Sequence, residues 1–218
     1  MVLKLYGAGR TTSVRRVAAF MREKNIPFEL VAIDVAHGEH KSPAYKEKHP
    51  FGLVPYIDDD GFIIYESRAI CRYLEDKYSD QGPKLIPTDP KNKAVFEQAA
   101  SVEISYFDPF AKKAVDEKIF KPRRGLTPDQ GVFDQSIVEL DRKLDIYEVI
   151  LSKQRYTAGD AFTLVDLFHL PEAWLLEAAG SRIMYDEKRP NVLRWWKDIS
   201  SRDSWQPIKD GVQVGYNC

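Results

Sequence analysis

The pattern of apolar residues changes character across residues 79–90, a stretch holding Pro83, Pro87 and Pro90 together with Gly82. Proline fixes φ and carries no N–H, so neither a helix nor a sheet ladder runs through such a segment. Ahead of it, periods of two and of 3.6 residues alternate; behind it only the helical period persists. A chain divided in this way is expected to fold as an α/β unit over 1–80, a linker over 81–90 and an all-helical unit over 91–218. Its 218 residues suit two modest domains.

Within the first part, residues 2–6 read as a strand that Gly7-Ala8-Gly9 breaks. Val14, Val17, Ala18 and Met21 then fall at i, i+3, i+4 and i+7, the apolar face of a helix. Residues 28–34 form a second strand, apolar enough on both sides to lie inside a sheet. After a polar loop over 37–48 come Val54-Pro55, the strand Tyr56-Ile57-Asp58, an Asp59-Asp60-Gly61 turn and the strand Phe62-Ile63-Ile64-Tyr65. Two short strands joined through Asp-Gly signal a hairpin. Ser67 suits the N-cap of the next helix, whose buried stripe is Cys71, Leu74 and Tyr78. The order β-α-β, loop, β-β-α is that of a thioredoxin-like domain. Further on, helices are expected near 91–118, 130–152, 163–179 and 189–201, the third opened by a capping-box pattern from Thr163 to Asp166.

Charge and cysteine usage narrow the function. Lys and Arg total 32 against 33 Asp and Glu, interspersed, so no basic stripe points to nucleic acid. Apolar runs are only a few residues long, and the opening Met-Val-Leu-Lys-Leu-Tyr has neither a basic nor an apolar leader segment. The expectation is a cytoplasmic protein with no membrane partner. Cys71 and Cys218 have neither CxxC nor metal-ligand spacing, so no disulfide framework is expected.

Several clusters could carry chemistry. Gly7-Ala8-Gly9-Arg10-Thr11-Thr12 with Asp34 invites a dinucleotide reading, yet Thr12 stands where the third glycine belongs, and no further βαβ units follow. His37, Glu39 and His40 look like metal ligands but lack a convergent partner, and a solvated loop accounts for them. The Trp174, Trp195 and Trp196 rings are assigned to packing. Thr11, Thr12 and Ser13 place three hydroxyls where the first helix begins. One would serve as an N-cap. A hydroxyl and the free helix N–H groups would also favour a small thiolate over its thiol; lowering a thiol pKa by about two needs only ~2.7 kcal/mol of preferential binding. His40 and Lys41 offer donors to a carboxylate, while Glu66 and Ser67 offer an acceptor for an ammonium and donors for a second carboxylate.

Taken in order, Gly38-Glu39-His40-Lys41-Ser42-Pro43, Pro50-Phe51-Gly52-Leu53-Val54-Pro55, Glu66-Ser67-Arg68-Ala69-Ile70, Phe120-Lys121-Pro122 with Gly125-Leu126-Thr127, and Ala158-Gly159-Asp160 through Leu167 form a specific set. Over its whole length the chain resembles a cytosolic glutathione transferase, most closely the phi class. The resemblance implies a thioredoxin-like domain followed by an all-α domain, a homodimer, and glutathione as co-substrate with no metal. It implies that His40 and Lys41 bind the glycyl end of glutathione, Val54 beside a cis Pro55 pairs with the cysteinyl backbone, and Glu66 and Ser67 hold the γ-glutamyl end. Arg68 would lie near that site or at the dimer interface. Phi enzymes usually carry a catalytic serine where Thr11 stands, so Thr11 is the expected thiol activator, with Thr12 or Ser13 as the alternatives. Leu53 stands where glutamine is common, which implies one contact fewer to glutathione.

The expected activity is addition of the glutathione thiolate to hydrophobic electrophiles, with reduction of organic hydroperoxides as a second use. Arg10, Thr12, Val35, Phe110 and Phe120 are the candidates for acceptor contacts. Thiol-transferase chemistry is disfavoured because no cysteine opens the first helix. The competing reading is a ligandin-type binding protein or scaffold that keeps the fold without turnover.

Overall fold

A computed structural model describes residues 2–217. The chain divides into two compact units: one runs to Lys84 and resumes from Asp203, and the other is Leu85–Arg202.

The first unit is built on five strands: β1 (Leu3–Gly7), β2 (Phe28–Ala32), β3 (Tyr56–Asp59), β4 (Phe62–Tyr65) and β5 (Gly215–Asn217), in the order β4-β3-β1-β2-β5. Only β1 and β2 are parallel; the other pairings are antiparallel. Joining β1 to β2 is α1 (Thr12–Glu23), which buries every residue from Val14 to Met21, its two arginines included. A short α2 (Pro43–Lys46) follows β2, and α3 (Ser67–Lys77) follows the hairpin, packing its buried Ile70, Cys71 and Leu74 inward. This sequence of elements reproduces the β-α-β, loop, β-β-α reading.

The helical unit contains α4 (Pro90–Val102), α5 (Asp108–Val115), the single turn α6 (Lys121–Arg123), α7 (Gln130–Leu151), α8 (Leu164–Ala178) and α9 (Pro190–Ser200). Two π-helical stretches, Glu103–Phe107 and Asp116–Phe120, interrupt what the sequence presents as one helix over 91–118. The α8 start is a capping box with added partners: Asp166 accepts from the backbone and hydroxyl of both Thr163 and Thr157 and from Trp195 Nε1, at 2.8–3.0 Å. Trp195 and Trp196 are fully buried, as packing residues should be.

Three expectations are corrected. The residues after Arg202 do not belong with the helices: β5 completes the sheet beside β2. Three residues starting at a glycine with φ of 93° are too short to show a strand period, and their ladder partner lies nearly 190 residues earlier, so nothing local marks them. The stretch expected as a linker over 81–90 is divided between the units, with Lys84 ending the first unit's leading segment and Leu85 opening the helical unit. Buried Lys24 donates to the Pro83 carbonyl at 3.0 Å and pairs with Glu75 at 3.1 Å, while Gly82, at φ 65°, lies against the Lys24 backbone. Finally, Ser67 is the first residue of α3 and not its cap; Glu66 occupies the cap position.

Candidate active site

The start of α1 is uncapped. Thr11 holds the N-cap position with extended backbone, but its side chain makes no cap hydrogen bond. Its hydroxyl instead donates to the Ala8 carbonyl at 2.9 Å. Ser13 donates to the Val54 carbonyl at 2.8 Å, across 41 residues, and so ties α1 to the loop in front of Pro55. Thr12 is left with the one hydroxyl of the three that has no partner among the described residues. An absent cap forgoes about 1 kcal/mol of helix stability, and the first N–H groups remain available to an anion.

The glycines ahead of α1 have a structural use. A side chain on Gly9 would overlap the Val212 carbonyl oxygen, and Val212 N–H donates to the Gly9 carbonyl at 3.0 Å. The strand-to-helix turn is therefore backed by the returning C-terminal segment. Arg15 strengthens that closure by donating to the Lys209 carbonyl and standing over the Trp205 ring. Asp34, the candidate ribose ligand, accepts instead from the His37 ring and backbone within its own loop; those bonds hold its carboxyl below the usual range. Among the described residues no cluster of His, Cys, Asp and Glu could hold a metal.

The Val54-Pro55 peptide is cis. The loop leading to it is held by Lys41, which donates to the Gly52 carbonyl at 2.6 Å, and by Tyr45, which donates to the Leu53 carbonyl at 2.7 Å. Lys41 thus anchors the loop while its ammonium stays on the exposed side. Gly52 has φ of 58°, and a Cβ there would come within 2.8 Å of the His40 carbonyl. Leu53 projects outward, half exposed. Burial and the Lys41 charge push the His40 pKa down, which keeps it a neutral donor or acceptor, and its Nδ1 is buried without a partner. Beneath the loop lies His49, a buried ring stacked on Tyr65 with centroids 4.5 Å apart; burial holds its pKa down against the opposing charge of Glu66.

The third piece is the start of α3. Glu66 has φ 70° and ψ 106°, a backbone region that costs a non-glycine residue roughly 1–3 kcal/mol. The Ile70 N–H donating to the Glu66 carbonyl at 2.9 Å makes it the first turn of the helix even so. No side chain caps this helix either, and Glu66 itself is exposed. Ser67 is buried, and its oxygen accepts from Arg16 Nη1 at 3.1 Å. By contrast, α2, α4 and α7 are capped by Ser42, Asp89 and Asp129. Both of these open N-termini belong to helices of the first unit, and each offers unpaired N–H donors to an anionic group.

The acceptor candidates are placed as follows. Arg10 is exposed, and Thr12 and Val35 are half-buried in the first unit. In the helical unit Phe110 and Phe120 are half-buried rather than core; Lys143 stands 6.0 Å over the Phe110 ring and Arg123 5.7 Å over that of Phe120, which lies in the second π-helical stretch. Cys71 is buried, which pushes its thiol pKa up to about 12, so it is no redox group. Cys218 lies outside the described residues.

Comparison with known proteins decides the family. The sequence models of the glutathione S-transferase N-terminal domain and C-terminal domain match residues 5–83 and 92–203. The chain belongs to the glutathione S-transferase family. Glutathione S-transferase hmp2 of Hypomyces subiculosus is 44% identical over 208 residues, 94% of this chain and 96% of its own. The crystal structure of glutathione transferase F7 from Populus trichocarpa superposes with a TM-score of 0.89 at 39% identity, covering 95% of this chain and 97% of that one. Glutathione S-transferase I from maize, solved in complex with an atrazine glutathione conjugate, gives 0.87 at 31% identity over 96% and 97%. The F-series relatives accord with the phi-class resemblance, and the chain is a glutathione transferase.

Sequence reasoning did not find three parts of this transferase: Arg16 behind Ser67, the Ser13 tie to Val54 and the C-terminal backing of Gly9. Arg15-Arg16, set between the stripe residues Val14 and Val17, was the available signal, because arginines drawn into a helix that buries so much of its surface demand partners.

Proposed function

We propose that this transferase binds glutathione with its sulfur at the start of α1, its cysteinyl backbone beside Val54 and Pro55, its glycyl carboxylate near His40 and Lys41, and its γ-glutamyl end at Glu66 and Ser67. The observation that carries this reading is the pair of uncapped helices, α1 and α3. Each offers unpaired N–H donors and a partial positive charge. The thiolate is held by the α1 N–H groups and the Thr11 hydroxyl, which turns from Ala8 to the sulfur. One neutral hydrogen bond is exchanged for a charge-assisted one, so the exchange favours the anion. Arg10, Thr12 and Val35 are the first unit's candidates for contacts to a hydrophobic electrophile, and Phe110 and Phe120 are the helical unit's. The thiolate attacks an electrophilic carbon and the leaving group departs with the bonding pair. With an organic hydroperoxide it attacks the terminal oxygen, the O–O bond breaks, the alcohol leaves after protonation and glutathione sulfenic acid remains; a second glutathione thiol then displaces water to give the disulfide.

The maize relative solved with a glutathione conjugate supports this substrate class. A homodimer belongs to the same proposal. Phe51 and Phe62 of the first unit and Val95, Tyr106, Ile146 and Val149 of the helical unit are large apolar residues exposed on a single chain, and a partner copy would have such surface to cover. A monomeric mass in solution would remove it. Among the described residues no helix is long and apolar enough to cross a membrane, and a cytoplasmic location completes the proposal.

The test is the ultraviolet difference spectrum of bound glutathione against pH, for wild type and Thr11→Ala. A thiolate band well below pH ~8.5, moved upward in the variant, supports a transferase using Thr11. Tight binding with no thiolate supports the ligandin-type reading, which draws on the bonds already made by the Thr11 and Ser13 hydroxyls.

A further inference from the structure

We propose that Arg10 selects electrophiles that carry a carboxylate on an apolar body. The proposal rests on the placement of the glutathione sulfur at the start of α1, and it names the substrate class of that same site. Most arginines of this protein are committed to the fold: Arg15 donates to the Lys209 carbonyl, Arg16 to Ser67, Arg155 pairs with Asp198 and Arg189 with three aspartates. Among the described residues Arg10 alone of the arginines has no hydrogen bond, ion pair or aromatic ring to occupy its guanidinium, and it is exposed. Its backbone, by contrast, is fixed. The Ala8 carbonyl accepts from the Thr11 N–H at 2.9 Å, closing a turn in which Arg10 is the third residue, and the Gly9 carbonyl accepts from the Val212 N–H at 3.0 Å. Gly211 leaves room for the side-chain stem, since a Cβ there would stand 3.3 Å from Arg10 Cγ.

The guanidinium is therefore carried on a pinned base, one residue before the N-cap of the helix proposed to hold the thiolate. An anion that binds it orders little more of the chain. A planar guanidinium meets a carboxylate with two parallel N–H donors and stays charged at every accessible pH, whereas an ammonium supplies the charge without the fork. The apolar body has support in the same unit. Ile33 N–H donates to the Gly7 carbonyl at 3.1 Å, which hooks the segment carrying Val35 to this turn, and half-buried Val35 packs against the cluster of Ile33, Tyr45 and Tyr56. With such a substrate the thiolate forms the C–S bond, and the leaving group departs from the same carbon with its bonding pair.

The experiment measures kcat/KM at saturating glutathione for the chlorodinitrobenzoate whose chlorine lies para to the carboxylate and between the nitro groups, and for its methyl ester. Each value is divided by the uncatalysed rate constant with glutathione, which removes the difference in intrinsic reactivity. Chloride leaves the same ring carbon in both, and only the acid carries the charge. The acid-to-ester ratio should fall by about tenfold in Arg10→Gln, the low end for a hydrogen bond to a charged group, with the loss on KM for the acid. Arg10→Lys should retain part of the preference. In wild type the ratio should shrink as salt is raised toward ~1 M, where charges are screened beyond ~3 Å. An unchanged ratio in Arg10→Gln, whether both rates hold or both fall together, overturns the selection while the sulfur placement stands. Conversion of neither arene by wild type with glutathione bound overturns the sulfur placement, and this selection with it.

Discussion

Thr11 donates its proton to the Ala8 carbonyl, so the catalytic role proposed for it requires the hydroxyl to rotate toward the sulfur. Thr11→Ala should raise the pKa of bound glutathione and reduce kcat/KM by about 100-fold, the scale of losing one anion donor, whereas Thr11→Ser should stay within severalfold. Leu53 presents half its surface to solvent where an amide would reach a ligand. Leu53→Gln should tighten glutathione by roughly fivefold, one neutral hydrogen bond, read by calorimetry. His49 and His40 both hold pKa values below the ordinary 6.5. The unfolded chain therefore binds their protons more readily than the folded one, and stability is lost as pH falls below about 6.5. Thermal unfolding between pH 7.5 and 5 should show this decline, shallower in His49→Gln. At this scale the residues proposed to face the ligand stood out in the sequence because their types are chemically distinctive. Glu66 was misread as lying before a serine cap because nothing in a glutamate announces a φ of 70°, and Arg16 was passed over because a buried cation looks like an exposed one until its partner is known.

Elements followed their local signals wherever burial and capping agreed. The hairpin, α1, α3 and the start of α8 were readable because each combines a period with a breaker or cap. The π-helical stretches at Glu103–Phe107 and Asp116–Phe120 were not, since one extra residue per turn leaves the apolar spacing nearly helical. The capping box of α8 carries a prediction. Asp166→Ala would strand the Trp195 indole and the Thr157 and Thr163 donors in a fully buried setting. We expect a loss of about 3 kcal/mol, roughly 10 °C in Tm, seen in thermal unfolding followed by circular dichroism. A fall of only a degree or two would mean that water replaces the carboxylate.

At the scale of the molecule, the division into an α/β unit and a helical unit was visible from the change of period at the prolines. The return of the chain after Arg202 was not, because β5 and the Val212 contact are defined by residues far away in sequence. Gly9→Ala would collide with the Val212 carbonyl. It should detach the segment from Asp203 onward, raising its amide hydrogen exchange and lowering conjugation by tenfold or more as the turn before Thr11 loosens.

The backing of Gly9 by Val212 also bears on the order in which the protein can be made. During synthesis the first four strands, α1 and α3 emerge early, but the turn that would grip the sulfur has no support until the helical unit has left the ribosome and the final strand can reach β2. A nascent chain released short of Val212 would own every proposed ligand contact and still lack the wall behind them. Competence to activate a thiol would thus wait on the helical unit, and on the segment that follows it, before it could arise.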